Sequence, residues 1–569
     1  MPEKKSDSRN TTLKLALWVI GIIAISWALS VFHLRVDLTS EKRYTLDDFT
    51  KKTLRDLDST VTLKIYLDGD LNIPFHKMQQ RLRETLEEFQ VYAGDNLRYE
   101  FINPFKGKDS KATDKLLNEL VEKGLKPTNI LDNDKEGGST EKLVIPGVLV
   151  DYKGVEIPVN LLKNNPGTSA EENINHSMEA FEFEFMRVIS SIVADSVEKI
   201  AFIEGHGEFN NFQVADITNE LGWNFQVDRG KISGKPGILD AYKAIIIAGP
   251  TQPFSEQDKF ILDQYIMNGG RLLLFIDMVN ASIDSISGGN PSLAMIRTPN
   301  IEDLLFRYGV RINPVLMQDI QCSMIPVNVA LAGNTPDFRP APWLYAPLLS
   351  APNTNSITRS LNMIKTEFTG CIDTIAARAG IEKTVLLRTS QYSRQVAAPV
   401  VLSLDEVRIT PREEDFRDGF RPVAVLLEGK FESGFKNRFL GSLFPDTALN
   451  LVETGVTSSI LVVADADVIR NEYRPTPQGV KYAPLGFDRY SSQTYGNKEF
   501  IVNAVQYMTG HKGLIQLRSR ELMIRLLDKA RIRKERSKWV LVNTLVPPLI
   551  IILAGVLYNW YRRRKYSVH

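Results

Sequence analysis

Short apolar runs alternating with helical stretches between Lys199 and Asp277 limit what this chain can fold into. Ile200-Ala201-Phe202-Ile203 leads into the polar loop Glu204-Gly205-His206-Gly207-Glu208, and a helical stretch runs on to Leu221. A short strand is predicted at Asn224 to Val227, and Ala244 to Ala248 reads as a buried strand ending at Gly249-Pro250. Ser255-Glu256-Gln257-Asp258 opens a helix with a near-capping-box pattern, and Asn268-Gly269-Gly270 closes it. Arg271 to Asp277 is a further buried strand. Apolar runs this short, separated by helices, predict a parallel sheet covered on both faces. Ligands of such sheets sit past the carboxyl ends of the strands. Gly205 to Glu208 and Asp277 fall there.

The rest of the chain is arranged around this block. At 569 residues it exceeds one compact core. Lys and Arg number 69 against 68 Asp and Glu, and the globular part lacks a basic, aromatic-interleaved patch, so no nucleic-acid partner is expected. The two cysteines, Cys322 and Cys371, form neither a disulfide framework nor a zinc motif, and either one bridge or two free thiols is open.

Leu15 to Phe32 is an uncharged run of about 18 residues, near the minimum for a membrane span. Lys4, Lys5, Arg9 and Lys14 precede it and favour a cytoplasmic amino terminus. A cleaved signal peptide, with Ala28 and Ser30 at the cleavage site, is the competing reading. A second run, Val540 to Tyr558, lies between Trp539 and Trp560, with Arg562, Arg563, Arg564 and Lys565 behind it. Arg531, Arg533, Lys534, Arg536 and Lys538 stand before it, as the basic face of an interfacial helix touching lipid headgroups or a partner subunit. Long loops cross a membrane largely regardless of charge. The expectation is transmembrane helices at 13–32 and 539–560, short cytoplasmic tails at 1–12 and 561–569, and a body on the far side.

Val61 to Leu67 alternates as a half-buried strand, and Phe75 to Tyr92 is an amphipathic helix. Leu97 to Ile102 is a strand, about Thr113 to Lys123 a helix, and Val148–Tyr152 with Val155–Val159 a hairpin. That order is thioredoxin-like, over 37–165. No cysteine precedes Cys322, so no redox pair is present. Residues 169–510 read as a larger α/β domain with an insertion at about 280–380, and 514–537 as a basic amphipathic helix. Phe181 to Met186 could pass for an alternating strand, but Ile174, Met178, Phe181, Phe185, Val188 and Ile192 favour one long helix. Asn334 to Asn355 reads as loop or lid; its Trp343 and Tyr345 are too few for an aromatic sugar platform.

His206, between two glycines and near Glu204 and Glu208, is the most suggestive single residue. A base, a ligand or partner contact, and a plain tight turn all remain open. Asp277, Asp465 and Asp467 could gather at one sheet edge around a cation, although acids at strand ends commonly cap helices and form turns. No metal site, cofactor or catalytic residue is assigned. A nucleophile elbow is missing after Asp277, where Met278-Val279-Asn280 follows, and no P-loop sequence occurs.

Several short motifs, taken in order, carry a resemblance. They are Val36-Asp37-Leu38-Thr39, Arg43-Tyr44-Thr45-Leu46, Phe202 to Glu208, and Gly269-Gly270-Arg271 before a strand ending in Asp277. Val463 to Asp467, Gly496-Asn497, Asn503-Ala504 and the Arg-Arg-Arg-Lys-Tyr tail complete the set. The chain resembles the GldG family, the accessory membrane component of the gliding-motility-associated ABC transporter. That resemblance implies an inner-membrane protein whose periplasmic body joins a thioredoxin-like part to an amidotransferase-like α/β part. It implies an ABC permease subunit and a cytoplasmic ATPase as partners. An envelope or cell-wall component is a further candidate for the body. The alternatives are a tethered hydrolase or transferase using the His206 loop, and a cell-wall or sugar-binding module.

Overall fold

In the computed structural model the described residues are 45–106, 110–133, 139–163, 169–193, 196–328, 338–352, 355–359, 361–375, 380–438, 451–477, 479–518 and 529–566, with Trp18 and Gly21. The fold is mixed α/β, in two compact units, 1–521 and 522–569.

The first core begins with helix α1 (Asp48–Arg55), capped by Asp47, whose side chain accepts from the Phe49 amide. Strand β1 (Val61–Ile65) buries every second residue, as the alternation requires. Helix α2 (Ile73–Ala93) turns Met78, Leu82, Leu86 and Phe89 inward, and β2 (Leu97–Phe101) follows. After a helix at Ser110–Glu122, β3 (Gly147–Tyr152) and β4 (Val155–Asn160) form a hairpin. The sheet order is β2-β1-β3-β4, with β1 parallel to β2 and antiparallel to β3.

The stretch predicted as one long helix is helical throughout except for a single turn residue. It forms α3 (Ala170–Glu179) and α4 (Phe181–Val193), joined at Ala180. A capping box, Ser169 with Glu172, starts α3. These helices were expected with the larger domain, yet they pack on the first core, where Phe181, Phe185 and Val188 are fully buried. Their six-residue alternation of Phe and Glu is helical because the i, i+4 face finds an apolar surface to cover.

The central sheet uses β5 (Lys199–Glu204), helix α5 (Ala215–Leu221), β6 (Gln226–Lys231), β7 (Ala244–Ala248), helix α6 (Glu256–Met267) and β8 (Arg271–Phe275). Strand β6 starts two residues later than Asn224, because Trp223 to Phe225 complete the turn out of α5. Later in the chain come β9 (Ile381–Arg388), β10 (Pro422–Glu432) and β11 (Thr454–Val463). The order is β6-β5-β7-β8-β11-β10-β9, parallel from β6 to β11 and antiparallel for the last two. All five residues of β7 are buried, the signature of a strand covered on both faces. Helix α7 (Asn497–Thr509) packs on this core and ends at Gly510 in the left-handed conformation.

Between β8 and β10 the chain leaves the sheet to build small β-pairs, returning once to form the edge strand β9. The insertion therefore continues past residue 380: Ser393–Ala397 and Val400–Leu402 pair back with Val315–Asp319 and Ser292–Ile296. The Pro- and Ala-rich stretch read as loop or lid contains a twelve-residue strand, Phe338–Leu349. Trp343 and Tyr345 alternate inward into a small core with Phe368 and Leu316, so neither ring is available as a sugar platform. Cys322 and Cys371 are free thiols, and burial pushes Cys322 up to about 12.

Helix α8 (Lys512–Arg518) covers the start of the basic amphipathic helix expected over 514–537, of which 519–528 lie outside the described residues. Leu514 and Leu517 are buried in the first core. The second unit holds helix α9 (Lys529–Tyr566), which carries Arg531, Arg533, Lys534 and Arg536 ahead of the apolar stretch. Its 27-residue segment Lys538–Arg564 contains an 18-residue window of mean hydropathy 2.4 and is long and apolar enough to cross a membrane. Trp539 and Trp560 are exposed near its two ends, and the Arg564 guanidinium lies over the Trp560 ring. The expected first span at 13–32 lies outside the described residues, save Trp18 and Gly21.

The assignment of α4 to the first core has a direct consequence. Phe185 is fully buried and meets Phe89 edge to face at 6.2 Å. Phe185→Ala is expected to destabilise the chain by about 3–5 kcal/mol in chemical unfolding. Val197→Ala, at an exposed position, should stay within about 0.5 kcal/mol.

Candidate functional site

The first crossover places β6 on one side of β5, and the next places β7 on the other. The connection reverses between β5 and β7, which makes their carboxyl ends the switch point of the sheet. Gly205 to Phe209 follow β5 there, and Gly249 to Phe254 follow β7.

Two glycines permit the close approach of these loops. Gly207 has φ +75°, and a Cβ on it would lie 2.1 Å from Thr251 Oγ1. Gly249 has φ +68°, and a Cβ there would lie 2.8 Å from the Phe209 ring. The loops are stitched by backbone bonds: Thr251 and Gln252 amides donate to the His206 carbonyl at 2.8 and 2.7 Å. The Phe209 amide donates to Ala248 at 2.9 Å.

His206 is buried in this seam. Its Nδ1 lies 3.0 Å from Glu208 Oε1, and its Nε2 lies 3.3 Å from Asp258 Oδ2. Its ring stacks on Phe254 with centroids 3.9 Å apart. Glu208 also accepts from the His206 amide at 2.7 Å. Asp258 holds the helix cap as well, since Ser255 Oγ donates to it at 2.7 Å and accepts from its amide at 3.1 Å. Burial pulls the imidazole pKa down, but Glu208 and then Asp258 outweigh it and leave it above its ordinary value. Both ring nitrogens face carboxylates of the same chain, which is the geometry of a tie between loop and helix. Glu204, on the other side of the loop, pairs with Arg229 at 2.8 Å.

The second group of predicted acids does meet at this edge. The Ala466 amide donates to Asp277 at 2.8 Å, and Asp465 accepts from the Asp467 and Glu367 amides at 2.7 and 3.0 Å. Arg470 binds Asp467 at 2.7 Å and Glu367 at 3.3 Å, and lies over the Phe209 ring at 5.7 Å. Phe209 and Arg470 thus fill the space beside the β7 end. Burial, followed by the charge of Asp467, raises Asp277 and Glu367 to about 7. The same two causes, with Asp277 added, push Asp465 well above the carboxylate range. Burial also raises Asp467, against the pull of Arg470, Lys365 and Arg297. Among the described residues no group of three or more His, Cys, Asp or Glu side chains is arranged to hold a metal ion.

Sequence reasoning missed Glu367, Arg470, Phe209, Phe254 and the second role of Asp258. Glu367 belongs to the insertion, nearly a hundred residues before Asp465, and no motif surrounds it. Asp258 reads as a cap, and its bond to His206 becomes visible only once β5 and α6 are placed.

A chain with a doubly wound sheet, a second α/β lobe and an apolar terminal helix is a membrane-associated protein of mixed architecture. Residues 198–504 match the ABC-transporter auxiliary family, described as an ABC-type uncharacterized transport system, and this chain belongs to that family. Residues 40–151 match a domain of unknown function, DUF7088. A protein of Borreliella burgdorferi, described only as uncharacterized, is 20% identical over 579 residues, spanning 99% of this chain and 100% of its own length. Among solved structures, the mmIFT52 N-terminal domain is similar at 15% identity and TM-score 0.31, covering 55% of this chain and 97% of that one. A ThuA-like protein from Parabacteroides merdae is similar at 10% identity and TM-score 0.26, covering 56% and 91%.

The raised carboxylates set a pH dependence with a definite sign. In the unfolded chain Asp277 and Glu367 titrate near pH 4. Their folded pKa values near 7 mean that the folded state holds extra protons between those limits. Stability from these groups is full below about pH 4 and is lost as pH rises through 7. His206, also raised, acts in the same direction. Unfolding free energy is expected to fall between pH 6 and 8.5. Glu367→Gln keeps an acceptor for Arg470 and should reduce that fall by about 1 kcal/mol or less, discounted because Glu367 is 25% exposed. Urea titrations at both pH values measure the difference.

Proposed function

We propose that this chain is a non-enzymatic accessory subunit of an ABC transporter complex serving gliding motility. In this reading two spans hold it in a bacterial inner membrane, with both termini cytoplasmic and the main body periplasmic. The spans pack with an ABC permease subunit whose ATPase partner lies in the cytoplasm. The body binds a partner or substrate at or near the carboxyl edge of the central sheet, where Gly205 to Glu208, Asp277, Asp465 and Asp467 lie.

The observation that carries the reading is the state of His206. Its two ring nitrogens meet Glu208 and Asp258 at 3.0 and 3.3 Å, and its face is covered by Phe254. A general base needs one nitrogen within reach of a substrate proton. Here both are committed within the chain, which favours a structural role over the hydrolase alternative. The family to which the chain belongs supports the transporter association. The apolar helix segment Lys538–Arg564 supports an anchor. The strand order β2-β1-β3-β4, with its parallel pair and antiparallel hairpin, supports reading the first lobe as a thioredoxin-like scaffold. The order of the central sheet and its empty nucleophile position support an amidotransferase-like body without amidotransferase chemistry.

Affinity isolation of the tagged full-length chain from its native membrane, followed by mass spectrometry, tests the proposal. An ABC permease and its ATPase are expected in stoichiometric amounts. Recovery of the chain alone under gentle extraction counts against it.

A further inference from the structure

A cavity of ≈ 490 Å³ opens past the end of β8, and nothing in the accessory-subunit reading depends on it. It lies among the segment from Met278 to Thr298, the helix Glu302–Tyr308 and the strand Val310–Asn313. Its size falls in the range of small-molecule sites, about 300–1,000 Å³. Ile301, Leu305 and Ile312 are buried and form an apolar floor. Ile296 and Phe306 are 45% and 54% exposed and form apolar walls. These two side chains leave apolar surface at the mouth of the cavity.

The charges of the lining favour an anion. Arg297 and Arg311 both face the cavity. Arg297 donates to the neutral Asn280 at 2.7 Å. Arg311 has no ion pair among the described residues; Asp373, opposite it in register, is hydrogen-bonded to Asn313 at 2.8 Å. Of the two acids in the lining, Asp303 is neutralised by Lys259 at 2.8 Å, with Arg438 at 3.7 Å. Within the lining, Glu302 then stands against two guanidinium groups, of which Arg297 also feels Asp277 and Asp467 while Arg311 does not. Planar guanidinium groups bind carboxylates through paired N–H donors.

We infer that this cavity binds a fatty acid, with its acyl chain on Ile301, Leu305 and Ile312 and its carboxylate at Arg297 and Arg311. The apolar floor supplies affinity, and the arginines select an acid over an alcohol of equal length.

Photo-crosslinking of the full-length chain in lipid nanodiscs with a diazirine-bearing C16 fatty acid tests this. Label on α9 provides an internal reference for probe dissolved in the bilayer. Label is expected on peptides covering residues 296–312, displaced by excess palmitate and at least about fivefold less by hexadecanol. Arg311→Glu, a surface change, should cut that label about tenfold without altering the label on α9. Ile296→Trp, which fills the cavity, should do the same. Labelling confined to α9, equal displacement by hexadecanol, or displacement by a lysophospholipid but not by palmitate would each overturn the inference. So would label unaffected by Arg311→Glu.

Discussion

The carboxyl edge of the central sheet depends on one buried histidine held between two carboxylates. His206 can occupy that position only because Gly207 accepts a left-handed backbone and brings its carbonyl to Thr251. Placed there, the imidazole links the loop after β5 to the first turn of α6 through Asp258. Leaving either acid unpaired in this buried setting would cost several kcal/mol. The tie therefore fixes two crossover connections against each other. It also places Phe209 against Gly249, and Arg470 lies over that ring.

Arg470 extends the same logic outward. It bridges Asp467, at the end of β11, to Glu367 in the insertion. Asp465 receives amides from both segments. The insertion is thus joined to the sheet by a network holding more acids than bases, and burial raises Asp277 and Glu367 to about 7. In many α/β proteins this edge receives a ligand. Here much of the space at the switch point is taken by the chain's own side chains, and the open apolar cavity lies beside it, past β8.

Much of this architecture was legible in the sequence. The apolar runs at Ala244 and Arg271 form strands buried throughout in the first and from Leu272 on in the second, and the glycines around His206 and after α6 mark real turns. What escaped were relations between distant segments. The Phe-Glu alternation at Phe181 correctly reads as helix, but which core it covers depends on Phe89, far upstream. The strand Phe338–Leu349 was hidden by its prolines, although Trp343 and Tyr345 keep the period of two. Leu514 and Leu517 looked like one face of a membrane-surface helix because their cover, the first core, begins near residue 46. The acids Asp277, Asp465 and Asp467 were visible as strand ends, whereas Glu367 and Arg470 had no local signal.

His206 is a structural tie, so its removal is the most direct measurement. Urea unfolding of the full-length chain with His206→Ala, compared with wild type at pH 7, reads the tie itself. Losing two charge-assisted contacts and leaving Glu208 and Asp258 facing each other should cost about 2–4 kcal/mol. Stability within about 0.5 kcal/mol of wild type, together with loss of cellular function, would contradict the account. That outcome would mark His206 as a residue with no part in holding the loop to α6.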